Sequence, residues 1–354
     1  MSKVEPSNPQ LPTVYKLLRP CLFRLDPERA HTFTLYALRF AGALPPLTMA
    51  LQVLYAAAPK PVTAFGLRFR NPVGLAAGYD KDALAWRGLA ALGFGHLELG
   101  TVTPLPQPGN PKPRLFRLPE DRGLINRMGF PSRGSAYVAK KLKRAPARRS
   151  SVRIGVNLGK NKHTPNEQAV FDYLSLFEIF APLADYLVIN VSSPNTEGLR
   201  RLQTRENLEN LLTQLAHQRR IEAERLEKRV PILVKLSPDL DDAALDAALE
   251  AIVHTWMDGV IVTNTTTSRA GLHSRHARQS GGLSGAPLRR MSTEMVAKVH
   301  RRTAGKLPII AAGGIMSPED ARARLEAGAT LIQLYTGLIY AGPGLVKRIV
   351  TALP

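Results

Sequence analysis

The chain has 354 residues, 44% apolar and 21% charged, which excludes a disordered polymer and leaves room for one large domain with an added segment. A single cysteine, Cys21, excludes any internal disulfide and any cysteine-based metal site, and fits a reducing compartment. The formal net charge of +20 suits nucleic acid, an anionic membrane surface or anionic ligands. The basic residues are dispersed, however: Lys140, Lys141, Lys143 and Arg144, then Arg148 and Arg149, Arg219 and Arg220, Arg289 and Arg290, Arg301 and Arg302. A solvated outer face accounts for that pattern, so charge alone names no partner.

Residues Met1 to Gln10 carry neither a charged-then-apolar signal nor an Arg-rich transit pattern. Up to about Ala58 the periodicity is helical. Val14, Leu17, Leu18, Cys21, Leu22 and Leu25 recur at helical spacing, and Pro20 is expected to kink or end that helix. Asp26-Pro27-Glu28 is a helix start, with a capping carboxylate, proline at the first position and an acid in the first turn. The helix that follows carries Ala30, Phe33, Ala37 and Ala41 on one face and ends near Gly42. The uncharged stretch from Phe40 to Pro59 has the length of a membrane span, but Pro45 and Pro46 divide it into two short amphipathic pieces. Two regions are therefore expected: residues 1–58 as a helical segment and 59–354 as the main domain.

Beyond Pro61 the rhythm changes. Apolar runs that read as buried parallel strands occur at Val73–Ala77, His96–Thr101, Arg153–Leu158, Tyr186–Val191, Ile232–Leu236, Gly259–Thr263, Ile309–Ala312 and Leu331–Tyr335. Helical stretches at Ala83–Leu92, Glu167–Phe180, Glu206–Glu227, Asp242–His254, Leu288–Arg302, Pro318–Ala327 and Leu345–Ala352 separate them. This alternation predicts an α/β fold, a closed (β/α)8 TIM barrel behind an N-terminal helical extension; an open doubly wound sheet is the alternative.

In such a barrel the carboxyl ends of the strands form the catalytic face. Here those ends carry glycines, amides, hydroxyls and lysines and almost no carboxylates, which disfavours a metal hydrolase; no metal is expected. Gly313-Gly314 and Tyr335-Thr336-Gly337 follow the last two strands, where such barrels bind phosphate, and Gly281-Gly282-Leu283-Ser284-Gly285 precedes them. Tight turns would also explain these glycines. Lys235 ends a buried strand and can stabilise negative charge developing at the mouth. Lys81 is similar, although Asp80 could simply pair with it. Asn126, Asn190, Asn195 and Asn264-Thr265 could ring a planar ligand with paired donors and acceptors, whereas each taken singly is an ordinary turn or cap residue. Ser193 is the candidate for proton chemistry, with a capping or turn role as its alternative.

Seven stretches, taken in order, resemble the signature segments of the dihydroorotate dehydrogenases: Leu75–Lys81, Glu98–Pro104, Gly109–Arg114, Ile125–Phe130, Asn190–Thr196, Thr263–Thr266 and Gly281–Gly285. The similarity runs from about Leu17 to the end. Serine at position 193, rather than cysteine, together with the helical extension beginning near Leu11, resembles the membrane-associated, quinone-using class. The resemblance implies FMN as cofactor, held by Ala76, Ala77, Gly78, Tyr79, Asp80, Thr101, Asn157, Asn190, Lys235, Thr263, Gly285, Gly314, Tyr335 and Thr336. It implies that Lys81, Asn126, Arg127, Met128, Gly129, Phe130, Asn190, Asn195, Asn264 and Thr265 hold dihydroorotate or orotate. Ser193 would take the C5 proton while the C6 hydride goes to flavin N5, in pyrimidine biosynthesis. A membrane quinone would enter between the N-terminal helices, with His31 and Arg114 as polar contacts. The setting implied is a monomer, peripheral on an anionic membrane, at the cytoplasmic side of a bacterial inner membrane, with no nucleic-acid partner. Two other classes remain to be separated from it: a flavoprotein acting on RNA, and a colourless barrel isomerase or aldolase.

Overall fold

The computed structural model describes residues 13–143, 152–196 and 198–354. Leu11, and Arg144, Arg148 and Arg149 of the basic series, lie outside the described residues.

The strands are, in chain order, β1 (Val62–Ala64), β2 (Leu67–Phe69), β3 (Val73–Leu75), β4 (His96–Val102), β5 (Leu115–Leu118), β6 (Gly123–Asn126), β7 (Arg153–Leu158), β8 (Tyr186–Asn190), β9 (Ile232–Leu236), β10 (Gly259–Val262), β11 (Gly282–Gly285), β12 (Ile309–Ala312) and β13 (Leu331–Leu334). Eight of them, β3, β4, β7, β8, β9, β10, β12 and β13, pair in parallel in sequence order and close on themselves, β13 returning to β3. The closed (β/α)8 barrel is therefore the fold, and the open sheet is excluded. All eight strands were expected within one or two residues. Near-continuous apolar composition identifies a strand covered on both faces, and the residues of β4, β8, β9, β10, β12 and β13 are all buried.

The five remaining strands were not foreseen. β1 and β2 form a hairpin whose Ala64 and Phe69 close the amino-terminal end of the barrel against Tyr186, Leu233, Ile261, Ile310 and Leu331. β5, β6 and β11 form an antiparallel sheet above the mouth. Short antiparallel strands lying within connections give no long apolar run, and Gly-Leu-Ser-Gly reads as a turn until β6 pairs with it.

Three helices precede the barrel: α1 (Thr13–Arg24), α2 (Pro27–Ala43) and α3 (Pro45–Tyr55). Asp26 caps α2, its carboxylate accepting the N–H groups of Glu28 and Arg29 at 3.0 Å each. Pro45 and Pro46 start α3, which turns 109° from α2. No single helix among the described residues is long and apolar enough to cross a membrane. The helix does not end at Pro20: α1 continues to Arg24. Losing one backbone donor there is tolerable because the neighbouring helix surface, from Lys16 to Cys21, is exposed to solvent. The apolar face of α1 docks only in part, through Leu18 and Leu22. Leu17 and Leu18 are exposed, whereas Tyr15 donates to the Ile339 carbonyl at 2.6 Å and Arg19 to that of Tyr340 at 3.1 Å.

Two glycines fix α2 to the barrel. A Cβ at Gly42 would sit 2.4 Å from the Gly88 nitrogen, and one at Gly88 only 2.1 Å from the Leu38 carbonyl oxygen. The helix Trp86–Ala90 and α2 thus touch backbone to backbone.

Candidate active site

Alternate residues of a barrel strand point inward, so each strand contributes side chains to successive layers. Leu233, Ile261, Ile310 and Leu331 form an apolar lower layer with Tyr186. Two residues further along their strands, Lys235 and Gln333 reach a polar layer, and Glu98 on β4 and Asn157 on β7 join it. Above that layer the mouth opens into a cavity of about 1070 Å³.

One side of the cavity is an anion cradle. It is lined by Gly285, Gly313, Gly314, Thr336 and Gly337, with Ser284 and Thr336 hydroxyls 2.8 Å apart. Gly314 has φ +74°, and a Cβ there would lie 2.4 Å from Arg289 Cα, so only glycine fits. Bare backbone at this point leaves N–H groups free to approach a phosphate.

The other side carries amides and a serine. Ser193 is 5% exposed and lines the cavity; its Oγ accepts the N–H of Asn195 at 3.2 Å. Asn195 Nδ2 donates to Asn126 Oδ1 at 3.1 Å, joining the β8 loop to the β6 end. The Asn195 Oδ1 is buried with no partner among the described residues. Asn264 Nδ2 donates to Ser192 Oγ at 2.9 Å, and Asn190 Nδ2 to Asn157 Oδ1 at 3.0 Å and Thr101 Oγ1 at 3.1 Å. Two amide pairs result, Asn126 with Asn195 and Asn190 with Asn264, and all four line the cavity. Lys81 lines the same region and donates to the Gly78 carbonyl at 2.6 Å. Burial, reinforced by the Arg114 guanidinium, lowers its ammonium to about 8, against the pull of Asp82.

A second, mostly apolar cavity of about 1440 Å³ runs between α1, α2, α3 and the barrel. Leu18, Leu22, Phe23, Ala30, Phe33, Ala37 and Leu38 line it from the helices, and His31 and Arg117 are its polar members with Tyr15, Thr34, Tyr55 and Tyr79. Burial, with the Lys81 charge behind it, drops the His31 imidazole to about 3, so the ring is neutral near pH 7. Leu124 and Tyr335 line both cavities and form the partition between them.

The family profile of dihydroorotate dehydrogenase matches residues 61–354. The chain belongs to the dihydroorotate dehydrogenase family. Among curated relatives it is 51% identical over 341 residues to the dihydroorotate dehydrogenase (quinone) of Anaeromyxobacter dehalogenans strain 2CP-C, covering 95% of this chain and 91% of that one. The quinone enzyme of Roseiflexus sp. strain RS-1 is 50% identical, with 95% and 92% covered. Among solved structures, Eimeria tenella DHODH in complex with ferulenol superposes with a TM-score of 0.83 at 40% identity, covering 92% of this chain and 90% of that one.

The family is one of flavin enzymes, and the cavity fits such a group. The glycine cradle suits its phosphate, and the Lys235 ammonium lining the cavity would favour negative charge on its ring. The orphaned Asn195 Oδ1 waits for a ligand N–H beside it.

Most residues singled out in the sequence come together. Ala76, Ala77, Gly78, Thr101, Asn190, Lys235, Thr263, Gly285, Gly314, Tyr335 and Thr336 line the cavity, as do Lys81, Asn126, Met128, Gly129, Phe130, Ser193, Asn195, Asn264 and Thr265. Five do not reach it. Asn157 lies below the floor, bonded to Glu98 and Thr101. Asp80 is fully buried, its carboxylate accepting the N–H groups of Leu84 and Ala85, each at 2.8 Å, rather than pairing with Lys81 as the sequence allowed. Tyr79 faces the apolar cavity. Arg127 points away: its guanidinium stacks over Phe116 at 4.6 Å and donates to Gln279 at 2.8 Å. Arg114, expected in the apolar cavity beside His31, is instead bound to Glu28 at 2.8 Å and to the carbonyls of Pro108 and Asn110.

Sequence reading also missed functional positions. Arg117 lines the apolar cavity and ties α1 down by donating to the Phe23 and Leu25 carbonyls. Gln333 lines the polar cavity. The inward parity of Leu331 and Tyr335 on its own strand would have placed it there.

Proposed function

We propose that this chain oxidises (S)-dihydroorotate to orotate with a bound FMN and passes the electrons to a membrane quinone. The observation that carries this is one wall shared by two unlike cavities, Leu124 and Tyr335 separating an anion-cradling polar cavity from an apolar tunnel. A two-substrate redox enzyme with one polar and one lipid-soluble substrate needs that separation.

Gly285, Gly313, Gly314 and Thr336 would hold the phosphate, while Ala76, Ala77, Gly78, Thr101, Asn190, Lys235 and Thr263 would hold the ring system. FMN supplies a hydride acceptor at N5 and returns the electrons to the second substrate. Lys81 would bind the substrate carboxylate. Asn126, Asn195 and Asn264 would satisfy the imide edge, which carries paired donors and acceptors as amides do. Ser193 would take the C5 proton onto Oγ as its own hydroxyl proton passes to solvent water, and the Asn195 N–H on that oxygen would stabilise the negative charge it carries meanwhile. Tyr79, Asp80 and Asn157 act behind the lining, and Arg127 steadies the loop that carries Met128 and Gly129.

Quinone would enter the tunnel with His31 and Arg117 as its polar contacts. Leu17, Phe33, Phe40, Met49 and Val53 are 62–78% exposed on the helices. Each would gain roughly 2 kcal/mol by leaving water for lipid. Lys16, Arg19, Arg24, Arg29 and Arg39 on the same helices suit anionic headgroups. Residues 1–58 would thus serve attachment and quinone access, and 59–354 the flavin chemistry. A bacterial inner membrane, cytoplasmic side, is the proposed setting. A monomer is the proposed oligomeric state.

The test is the absorption spectrum of the purified protein under anaerobic conditions. A yellow protein that bleaches on adding dihydroorotate and recovers on adding a short-chain quinone is expected; a colourless protein, or one blind to dihydroorotate, would refute the proposal.

A further inference from the structure

Glu98 has no exposed surface, and nothing in the chemistry above uses it. It points inward from the middle of β4, one layer beneath the cavity floor. Its Oε1 accepts Asn157 Nδ2 at 2.7 Å and lies 3.3 Å from Lys235 Nζ, while its Oε2 accepts Gln333 Nε2 at 2.6 Å. The three donors come from β7, β9 and β13. Lys235 and Gln333 both line the cavity, and Asn157 passes the contact on to Thr101 and Asn190, which line it too.

A carboxylate and an ammonium in the dry centre of a barrel are costly, and an apolar pair of similar size would often be at least as stable. Stability alone therefore does not account for the pair. Its position does: the cation is at the cavity surface and the anion is directly behind it, so the net field at the floor depends on both.

We propose that Glu98 is a positioning residue for the redox step: its carboxylate fixes the Lys235 ammonium at the cavity floor and offsets part of its charge, which sets how strongly the floor favours negative charge on the flavin. The inference rests on the flavin dehydrogenase reading. A wild-type protein that takes up no flavin would sink that reading first, before any variant is made.

The experiment measures two quantities on the flavin-loaded protein, the midpoint potential and the affinity for sulfite, an anion that adds to oxidised flavin. In Glu98→Gln the offsetting charge is gone, so the potential rises and sulfite binds about tenfold tighter or more. Lys235→Met moves both the other way. In the Lys235→Met background, Glu98→Gln shifts both by less than it does alone, since the ammonium that the carboxylate fixes is absent. Glu98→Asp, which keeps the charge, returns both quantities toward wild type. An unchanged or lowered potential in folded, flavin-bound Glu98→Gln overturns the proposal. If Glu98→Gln loses its flavin or fails to fold, the double variant must recover both, because a floor without charges is tolerated where a lone one is not. Failure of that recovery also overturns it.

Discussion

The two cavities that meet at Leu124 and Tyr335 are built by different means. The polar one is held by a closed ring of strands, with side chains from β3, β4, β8, β9, β10, β12 and β13 or the loops that follow them, cross-linked by amide hydrogen bonds. The apolar one is roofed by three helices, held by the Gly42 and Gly88 contact, the Arg114–Glu28 ion pair, the Tyr15 and Arg19 bonds to the Ile339 and Tyr340 carbonyls, the Arg117 bonds to the end of α1, and Leu35 and Tyr55 buried in the main core. Rigidity therefore sits where chemistry needs fixed distances. The helical roof sits where a bulky lipid-soluble molecule would enter. Disturbing one cavity should leave the other half-reaction intact.

The largest effect expected is at the base. Ser193→Ala should slow flavin reduction by dihydroorotate about a thousandfold, with flavin retained and reoxidation by quinone unchanged, read by stopped-flow absorbance. An equal loss in both half-reactions would dissolve the distinction between the cavities. Filling the tunnel tests the converse. Ala37→Trp should slow quinone-dependent reoxidation by about a hundredfold while reduction proceeds as before, the cost typical of a misplaced reactant.

Lys81 sharpens the comparison through pH. Its ammonium titrates at about 8 in the folded protein. The charged form prevails below that value and is lost above it. The kcat/KM for anionic dihydroorotate should therefore fall about tenfold per unit above pH 8, while quinone kinetics stay flat. A rise with pH would mean that Lys81 does not bind the carboxylate.

The smallest effect concerns the roof. Gly88→Ala must push α2 away from the barrel, and should cost about 1–3 kcal/mol in denaturant unfolding. Quinone turnover should weaken with it, and flavin reduction should not. A variant of unchanged stability would mean that the backbone contact between the two helices is not what seats α2.

Much of this was legible beforehand, for reasons that differ between elements. β8 and β9 announce themselves because strands buried on both faces are almost wholly apolar, so that Asn190 and Lys235 stand out at their ends. Asp26-Pro27 marks a helix start by local chemistry alone. The path of α1 was less readable, since Leu17 shares an apolar stripe with Leu18 and Leu22 yet is 71% exposed, while those two line the apolar cavity. Arg127 and Arg114 were misplaced because a basic residue in a signature stretch shows its charge but not its direction. Phe116 and Glu28, which claim them, are distant in sequence or lie in another region. Arg117 escaped notice for the same reason, whereas strand parity alone could have found Gln333.

The sequence by itself determined the barrel, its helical preface and the residue types at the mouth, because periodicity, capping and turn chemistry act over a few residues. Only the tertiary structure decided which of those side chains share a cavity, that two cavities meet at Leu124 and Tyr335, and that Glu98 stands behind Lys235. Those facts depend on strand register and barrel closure, which bring residues more than a hundred positions apart to within a hydrogen bond, and no local pattern records the outcome.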